Sequence, residues 1–244
     1  YYTQLIIGFL YFSIFSSTIY IINDLKDLEE DKLHSLKKND KVIASGKISK
    51  KNSYFILTLL IVILSISILS DYNYFKIPIY YFLISLIYIF LIRKIAYLDV
   101  LIISFGYNLR VMFGSFIIGV ETSLAMHLTI FSLAMYIISL KRLKELTKFT
   151  SARKSLFFYK KYFLDKINIF LAISTLALYL LYVLDKKIEL IITIPFAAFS
   201  LMRFRSINLN SESNYNPIDV FFSDKIIIIS TFLYIALLFF LFYY

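Results

Sequence analysis

The chain contains no cysteine, and among its 244 residues there are only two histidines, His34 and His127. Without cysteine, neither a disulfide framework nor a cysteine-ligated metal site can form. So few histidines also disfavour a histidine-rich zinc centre. Proline is scarce too, with only three in the chain. The absence of cysteine thus excludes sites built on thiolate ligands.

Apolar residues dominate the composition instead. Hydrophobic side chains make up 60% of the chain and aromatic ones 19%, with a mean hydropathy of +0.77. A soluble domain is only about 45–50% apolar even when glycine is counted. One globular core cannot bury the excess, so much of it must face lipid. The net charge of +10 is better explained by the position of the charges between apolar runs than by nucleic acid, which we do not predict as a partner.

Eight apolar runs are candidates for membrane spans. A spanning helix needs about 20 apolar residues, with a range of roughly 17–25, and an open sheet edge in lipid would leave backbone groups unpaired. The sequence therefore predicts an all-α, polytopic membrane helical bundle, in a single transmembrane domain over residues 1–244. The predicted spans are 5–22, 54–70, 77–92, 98–118, 124–140, 167–184, 188–202 and 226–243.

Lysine and arginine are distributed very unevenly between the seven loops. The first, third, fifth and seventh loops hold 22 of the 26 basic residues, the other three loops hold 3, and Arg110 lies within a span. Cytoplasmic loops carry an excess of basic residues, so the long basic loops are predicted to be cytoplasmic. Because the sequence begins at Tyr1 inside an apolar run, we also expect that a first helix is missing from it.

Regularly spaced acidic residues open the first long loop. Asn23 and Asp24 follow the first span, and Asp24, Asp27 and Asp31 are spaced i, i+3 and i+7. On a continuous helix this spacing places the three carboxylates on one face, where they repel each other unless a cation compensates. Mg²⁺ is often held by one or two carboxylates and substrate phosphates. The segment therefore predicts a Mg²⁺-dependent diphosphate site, the alternative being an ordinary charged helix end.

Three lysines suited to phosphate binding follow the aspartates. Lys37, Lys38 and Lys41 precede a tight turn signal at Ala44-Ser-Gly46. Lysine ammonium groups neutralise phosphate oxygens as mobile point charges, although lipid headgroups attract the same residues. We interpret the three lysines as ligands of a substrate phosphate.

The second long loop begins with Lys141, Arg142 and Glu145. Helical spacing brings Glu145 close to Lys141 at i−4 and to Arg142 at i−3. Two interpretations remain open: a local ion pair at a helix end, and a second phosphate clamp. The following residues, 151–165, are typical of an amphipathic surface segment.

Arg110 lies inside the fourth span, with apolar sequence on both sides. An arginine at membrane depth is costly and usually faces a polar cavity or a partner. A shallow arginine that snorkels to the interface is the alternative. We predict that Arg110 helps to line a cavity for a charged headgroup.

These motifs resemble those of a known family. Asn23-Asp24-x-x-Asp27-x-x-x-Asp31, followed by Ile43-Ala-Ser-Gly46, resembles the first signature of the UbiA superfamily of membrane prenyltransferases. Lys41-Val42 stands where the family has Arg-Pro, which keeps the charge but loses bidentate geometry. Further motifs resemble those of the decaprenyl-phosphate phosphoribosyltransferase branch: His34-Ser-Leu-Lys37, Leu109-Arg110 followed by Gly114, Lys141-Arg142-x-x-Glu145-Leu146, and Pro217-Ile-Asp219 with Asp224-Lys225.

The resemblance implies a fold of nine helices, eight of them present, around a central cavity open to the cytoplasmic side. It implies an integral, multi-pass transferase of a bacterial or archaeal cell membrane whose active face is cytoplasmic. Its partners would be membrane lipid, a polyprenyl phosphate or diphosphate lipid, and a phosphorylated small-molecule donor, with Mg²⁺ as cofactor. In the branch, phosphoribosyl passes from phosphoribosyl diphosphate to a polyprenyl phosphate.

The resemblance also assigns roles to residues of this chain. The implied metal ligands are Asp24, Asp27 and Asp31, and Asn23 joins them in catalysis. Implied substrate-binding residues are Lys37, Lys38, Lys41, Arg110, Lys141, Arg142 and Glu145.

Two alternative functions are weaker on the sequence. The aromatic prenyltransferases of the superfamily carry a second Asp-rich motif in the loop after the fifth span. Because this chain lacks one there, transfer of a prenyl group from its diphosphate to an aromatic acceptor is disfavoured. A non-enzymatic transporter is disfavoured because no clear internal repeat is visible.

Overall fold

The structure, a computed structural model, describes residues 2–33, 41–148, 154–210 and 217–243. These residues form α-helices and three short 3₁₀ segments, Ile92–Lys94, Lys154–Phe158 and Ile188–Thr193, and they include no strand. The α-helices are α1 (Tyr2–Lys26), α2 (Leu28–Leu33), α3 (Lys50–Ser70), α4 (Tyr72–Phe90), α5 (Leu98–Ile118), α6 (Leu124–Lys148), α7 (Lys161–Lys186), α8 (Ile194–Asn210), α9 (Pro217–Ser223) and α10 (Lys225–Tyr243).

Eight of these helices are long and apolar enough to cross a membrane, α8 being extended by the preceding 3₁₀ segment to Ile188–Asn210. In the most apolar window of each, only 11–33% of the residues are buried. Apolar helices that expose most of their surface are suited to lipid rather than to water. The prediction of an all-α, polytopic membrane bundle with eight spans is confirmed. The central cavity and its cytoplasmic opening stay predictions.

Side-chain caps define where two of the spans begin. The Ser49 hydroxyl accepts the amide of Asn52 at 3.2 Å at the start of α3. The Asp71 carboxylate accepts the amide of Tyr74 at 3.0 Å at the start of α4. Each cap satisfies a backbone donor that has no partner within its helix, so polar residues between apolar runs fix the ends of both spans.

One compact unit comprises Tyr1–Leu91 and Leu109–Glu121. Its helices α1, α3 and α4 meet in an apolar cluster that contains Phe15, Leu64 and Phe75. A second cluster joins α1 and α4 to Leu109 of α5 through Ile19, Tyr81 and Ile89. These contacts hold the end of α1 that carries the acidic segment.

The other compact unit comprises Ile92–Asn108 and Thr122–Tyr244. Within it α6 and α7 pack side by side, with polar side chains buried between them. The Asn168 side-chain amide donates to the Tyr136 carbonyl at 3.0 Å and to the Ser139 hydroxyl at 2.9 Å. Such interhelical hydrogen bonds and close packing hold helices together where lipid is as apolar as their side chains. The single domain predicted over the whole chain stays a prediction.

Candidate functional site

The acidic segment does not continue α1 as a single helix. α1 ends at Lys26, the backbone bends at Asp27, and α2 begins at Leu28. The amides of Asp27 and Asp31 still donate to the carbonyls four residues before them, at 3.0 and 2.8 Å. The acidic segment is therefore not one continuous helix. The bend leaves Asp27 and Asp31 buried, with 5% and 3% of their surface exposed.

A single lysine nevertheless joins two of the three carboxylates. Lys41 Nζ lies 2.9 Å from Asp24 Oδ1 and 2.7 Å from Asp31 Oδ2. The Asp31 side chain is 4% exposed, and those of Lys41 and Asp24 are each 26% exposed. Burial lowers the pKa of Lys41, but the hydrogen bonds and charges of Asp31 and Asp24 outweigh it and leave that pKa above its ordinary value. Lys41 is therefore charged at neutral pH.

Packing fixes the segment that carries Lys41. Ile43 and Ala44 are buried in a cluster with Leu28, the first residue of α2. This packing holds the start of α2 against the segment. Gly46 has a φ of 77°, in the left-handed region that glycine enters most easily, so the predicted turn is confirmed. The Lys41 backbone is thus held next to the aspartates.

The lysine bridge also tests whether these residues fit Mg²⁺. The Lys41 ammonium shows that one cation can reach carboxylate oxygens of both Asp24 and Asp31. In the described part of the chain, no three His, Asp or Glu side chains are grouped to hold a metal by themselves. Mg²⁺ does not require such a group, because water and substrate phosphates usually complete its shell. Asp24 and Asp31 are therefore compatible with the ion, and the role of all three aspartates as its ligands stays a prediction.

The structure describes only some of the other residues predicted to act in the first loop. His34, Lys37 and Lys38 lie outside the described residues. Asn23 is half-buried on α1, next to Asp24, and its catalytic role stays a prediction. Below, "the acidic cluster" means Asn23, Asp24, Asp27, Asp31 and Lys41.

Arg110 has an aromatic partner within the same unit. Its Nη2 donates to the Tyr81 hydroxyl at 2.8 Å, and its guanidinium carbon lies 5.2 Å from the centre of the Tyr81 ring. Tyr81 is buried in α4, with 6% of its surface exposed. Arg110 thus meets a protein partner at membrane depth, as is usual for such residues. Its contact with a lipid headgroup stays a prediction.

In the second unit, Arg142 is held between two carboxylates. Its Nε donates to Asp99 Oδ2 at 2.9 Å, and its Nη1 donates to the two oxygens of Glu145 at 3.1 and 2.9 Å. The side chains of Arg142 and Asp99 are 4% and 0% exposed. The ion pair between Arg142 and Glu145 is therefore present. Lys141 is half-buried on the same helix, and the phosphate clamp stays a prediction for all three residues.

Asp99 also accepts a hydrogen bond from the Tyr159 hydroxyl. The same hydroxyl accepts the backbone amide of Tyr97 at 2.9 Å. Tyr97 has a φ of 65°, unusual for a residue with a Cβ, and its ring centre lies 4.6 Å from that of Tyr159. Burial and the hydrogen bond to Asp99 raise the pKa of Tyr159, so the phenol stays protonated and donates.

Asp99 and Tyr159 were not among the predicted site residues. They lie 60 positions apart in the sequence, and Tyr159 belongs to the stretch interpreted as an amphipathic surface segment. An acidic residue in the first turn of an apolar span is the one signal that singles out Asp99. Below, "the Asp99 cluster" means Asp99, Arg142, Glu145 and Tyr159.

We expect Tyr159→Phe to lower the stability of the protein by about 1–3 kcal/mol, because the fully buried Asp99 carboxylate loses a donor. The measurement is thermal unfolding of the purified protein in detergent. The matched control is Tyr162→Phe, which removes a hydroxyl from a tyrosine that is 72% exposed. Equal unfolding midpoints for the two variants would contradict this role of the Tyr159 hydroxyl.

Two arginines of α8 are paired as well. Arg203 Nη2 donates to Asp224 Oδ2 at 2.7 Å, and Asp224 Oδ1 accepts the amide of Ile227 at 2.9 Å, which caps α10. The hydrogen bond from Arg203 lowers the pKa of Asp224. Arg205 Nη2 donates to Asp165 at 2.6 Å. Asp224, part of the late motif, thus anchors the start of a span.

Comparison with known proteins identifies the family. Residues 2–223 match the model of the UbiA prenyltransferase family. Over 109 residues the chain is 33% identical to decaprenyl-phosphate phosphoribosyltransferase of Mycolicibacterium smegmatis. This matched stretch covers 44% of the chain and 34% of that protein. Over 117 residues it is 36% identical to uncharacterized protein y4nM of Sinorhizobium fredii. That stretch covers 48% of the chain and 22% of the relative.

The matched stretches are thus well under half the length of both relatives. The family match, by contrast, spans the acidic cluster, the Asp99 cluster and seven complete membrane helices. The chain is therefore an integral membrane protein that belongs to the UbiA prenyltransferase family.

Proposed function

We propose that this transferase moves phosphoribosyl from phosphoribosyl diphosphate to a polyprenyl phosphate in a Mg²⁺-dependent reaction. The observation that carries the proposal is the convergence of Asp24 and Asp31 on one cation, the Lys41 ammonium. Two carboxylates that reach one cation, beside a lysine, provide the groups that a metal-bound diphosphate needs. The relative from Mycolicibacterium smegmatis, which is named for this reaction, supports the choice of substrates.

In the proposed reaction, an oxygen of the polyprenyl phosphate forms a bond to the anomeric carbon of the ribose. The bond from that carbon to the diphosphate oxygen breaks, and the diphosphate leaves with the electron pair. Mg²⁺ held by Asp24 and Asp31, with Asp27 beside them, would stabilise the charge on the leaving diphosphate. Lys41 would contact the phosphate oxygens, and Asn23 would orient ligands through its side-chain amide.

The other predicted residues take binding roles in the proposal. Arg110 would contact the acceptor phosphate, since its guanidinium is carried by the candidate membrane span α5 (Leu98–Ile118). Lys37, Lys38 and Lys141 would add positive charge for substrate phosphates. Because Arg142 already donates to Asp99 and Glu145, we assign it and Glu145 chiefly to shaping the end of α6.

The proposed active face is cytoplasmic. The loops that follow α1 and α6 belong to the set that carries 22 of the 26 basic residues. The positive-inside rule places such loops in the cytoplasm. A water-soluble phosphorylated donor would reach the acidic cluster from that side, whereas the acceptor would arrive through the lipid.

The description of the family as prenyltransferases favours a second candidate, transfer of a prenyl group from its diphosphate to an aromatic acceptor. The same carboxylates and lysine would hold that diphosphate. The missing second Asp-rich motif counts against this candidate. Membership of a transferase family argues against the transporter.

The test uses the full-length protein purified in detergent, with Mg²⁺, polyprenyl phosphate and phosphoribosyl diphosphate labelled in its ribose. We expect label to enter the lipid phase, and EDTA to abolish this transfer. A parallel reaction contains labelled prenyl diphosphate and an aromatic acceptor. Metal-dependent product in the second reaction alone would replace phosphoribosyl transfer with prenyl transfer, and product in neither would contradict both.

A further inference from the structure

We propose that Lys41 is a built-in placeholder for the metal: its ammonium holds Asp24 and Asp31 together before substrate binds, and moves to the diphosphate when the metal arrives. The inference rests on the proposed diphosphate site. It goes beyond that site by predicting that metal and diphosphate bind cooperatively. The cause of this cooperativity is one side chain that exchanges partners.

The ammonium and a metal ion cannot share the position between the two aspartates. Lys41 Nζ lies 2.9 and 2.7 Å from oxygens of Asp24 and Asp31. Mg²⁺ binds carboxylate oxygens at about 2.0–2.1 Å. An ion bound to the same two oxygens would therefore lie within close contact of the ammonium, where two positive charges repel strongly. Binding of the metal requires the ammonium to leave.

The packing of the segment allows the ammonium to leave while keeping it nearby. The neighbouring residues Ile43 and Ala44 are anchored in a cluster with Leu28, so the backbone at Lys41 is fixed. The Lys41 side chain is 26% exposed and carries its ammonium on a flexible four-carbon stem. After displacement, the charge stays within reach of whatever binds at the carboxylates.

This geometry makes the metal and the diphosphate depend on each other. A metal ion that binds without diphosphate displaces the Lys41 ammonium and leaves it without a new anionic partner. Metal with diphosphate displaces the same ammonium but supplies phosphate oxygens as its new partners. Each ligand therefore raises the affinity for the other by the same factor, as linkage requires. Without diphosphate, the aspartates would remain bridged by lysine at moderate metal concentrations.

The test measures metal affinity directly, without turnover. Mn²⁺ replaces Mg²⁺ as a spectroscopic probe, and electron paramagnetic resonance of the full-length protein in detergent gives the Kd for Mn²⁺. Each titration is run with and without inorganic diphosphate, the part common to both candidate donors. The variants are Lys41→Gln, Lys41→Arg and, as a matched control, Lys47→Gln, which removes a charge from an exposed lysine of the same segment.

For the wild-type protein we expect diphosphate to tighten Mn²⁺ binding by about tenfold or more, within the range typical of coupled sites. Lys41→Gln is expected to bind Mn²⁺ alone about fivefold to tenfold more tightly, because the competing cation is gone, and to lose most of the diphosphate effect. Lys41→Arg should retain both wild-type properties, and so should Lys47→Gln. A general loss of structure is not expected to raise the affinity for Mn²⁺ alone while it lowers the effect of diphosphate on that affinity.

Suppose that the wild-type protein binds Mn²⁺ in the presence of diphosphate, but Lys41→Gln binds Mn²⁺ alone no more tightly than the wild type does. This result would contradict the proposed role of Lys41 and leave the proposed metal site standing. No Mn²⁺ binding by the wild type even with diphosphate would overturn the proposed metal site as well. Asp24→Asn separates these cases, because the proposed site requires this variant to weaken Mn²⁺ binding in the presence of diphosphate.

Discussion

Asp24→Asn is expected to lower the rate of phosphoribosyl transfer by about 100- to 1,000-fold, the usual effect of removing one group that stabilises transition-state charge. The substitution keeps the shape of the side chain but removes the negative charge that would hold the metal ion of the diphosphate site. Lys41 keeps Asp31 as a partner, with 2.7 Å between Nζ and Oδ2, so the fold around the acidic cluster should persist. The measurement is the initial rate of lipid labelling at saturating Mg²⁺.

The matched control is Glu30→Gln, which removes one negative charge from an exposed position on α2. Its rate should stay close to that of the wild-type protein. Thermal unfolding of both variants separates a loss of chemistry from a loss of structure. A rate for Asp24→Asn within about threefold of the wild type would remove this carboxylate from the catalytic machinery, since the expected loss is about 100-fold or more.

Asp99→Asn should produce the largest loss of stability, about 3–5 kcal/mol, because it breaks a buried ion pair and leaves the buried Arg142 with only one, Glu145, of its two described carboxylate partners. Asp99 is fully buried and accepts from both Arg142 and Tyr159. An asparagine of the same shape retains one acceptor oxygen but places an amide group where a second acceptor is needed. The measurement is the free energy of unfolding, or the midpoint of thermal unfolding, in detergent.

A double-mutant cycle checks the cause of this loss. Arg142→Gln removes the charge that Asp99 neutralises, so the combined variant should be less destabilised than the sum of the two single variants. Asp165→Asn serves as the control, because its ion pair with Arg205 has a 40% exposed carboxylate, and exposed pairs contribute little. Additive effects of Asp99→Asn and Arg142→Gln would mean that the buried pair is not the source of the loss.

Much of the fold could be predicted from the sequence because the requirements of the bilayer act locally. A run of about 20 apolar residues is sufficient for a span, and the predicted run 98–118 coincides with α5 (Leu98–Ile118). The prediction was less accurate where polar residues extend a helix beyond lipid. α7, for example, begins at Lys161 rather than at residue 167, because hydropathy does not report the polar turns that continue a helix into the interface.

The candidate site was predictable to the extent that it depends on nearby residues. The spacing of Asp24, Asp27 and Asp31 drew attention to this segment, but the packing of Leu28, next to the bend, against residues that follow the loop could not be predicted from spacing. The partners of Asp99 lie 43 and 60 positions away. Pairs at such separations leave no periodic signal, since only the tertiary fold brings them together.

The length of α7 has a consequence for the membrane in which the protein works. Its 26 residues extend for about 39 Å at about 1.5 Å per residue, whereas the hydrocarbon core is about 30 Å thick. The excess of about six residues matches the first stretch of the helix, which carries Asp165. A thicker bilayer would draw this carboxylate toward hydrocarbon, which is costly. We therefore expect bilayer thickness to influence the ion pair between Asp165 and Arg205, independently of any change in sequence.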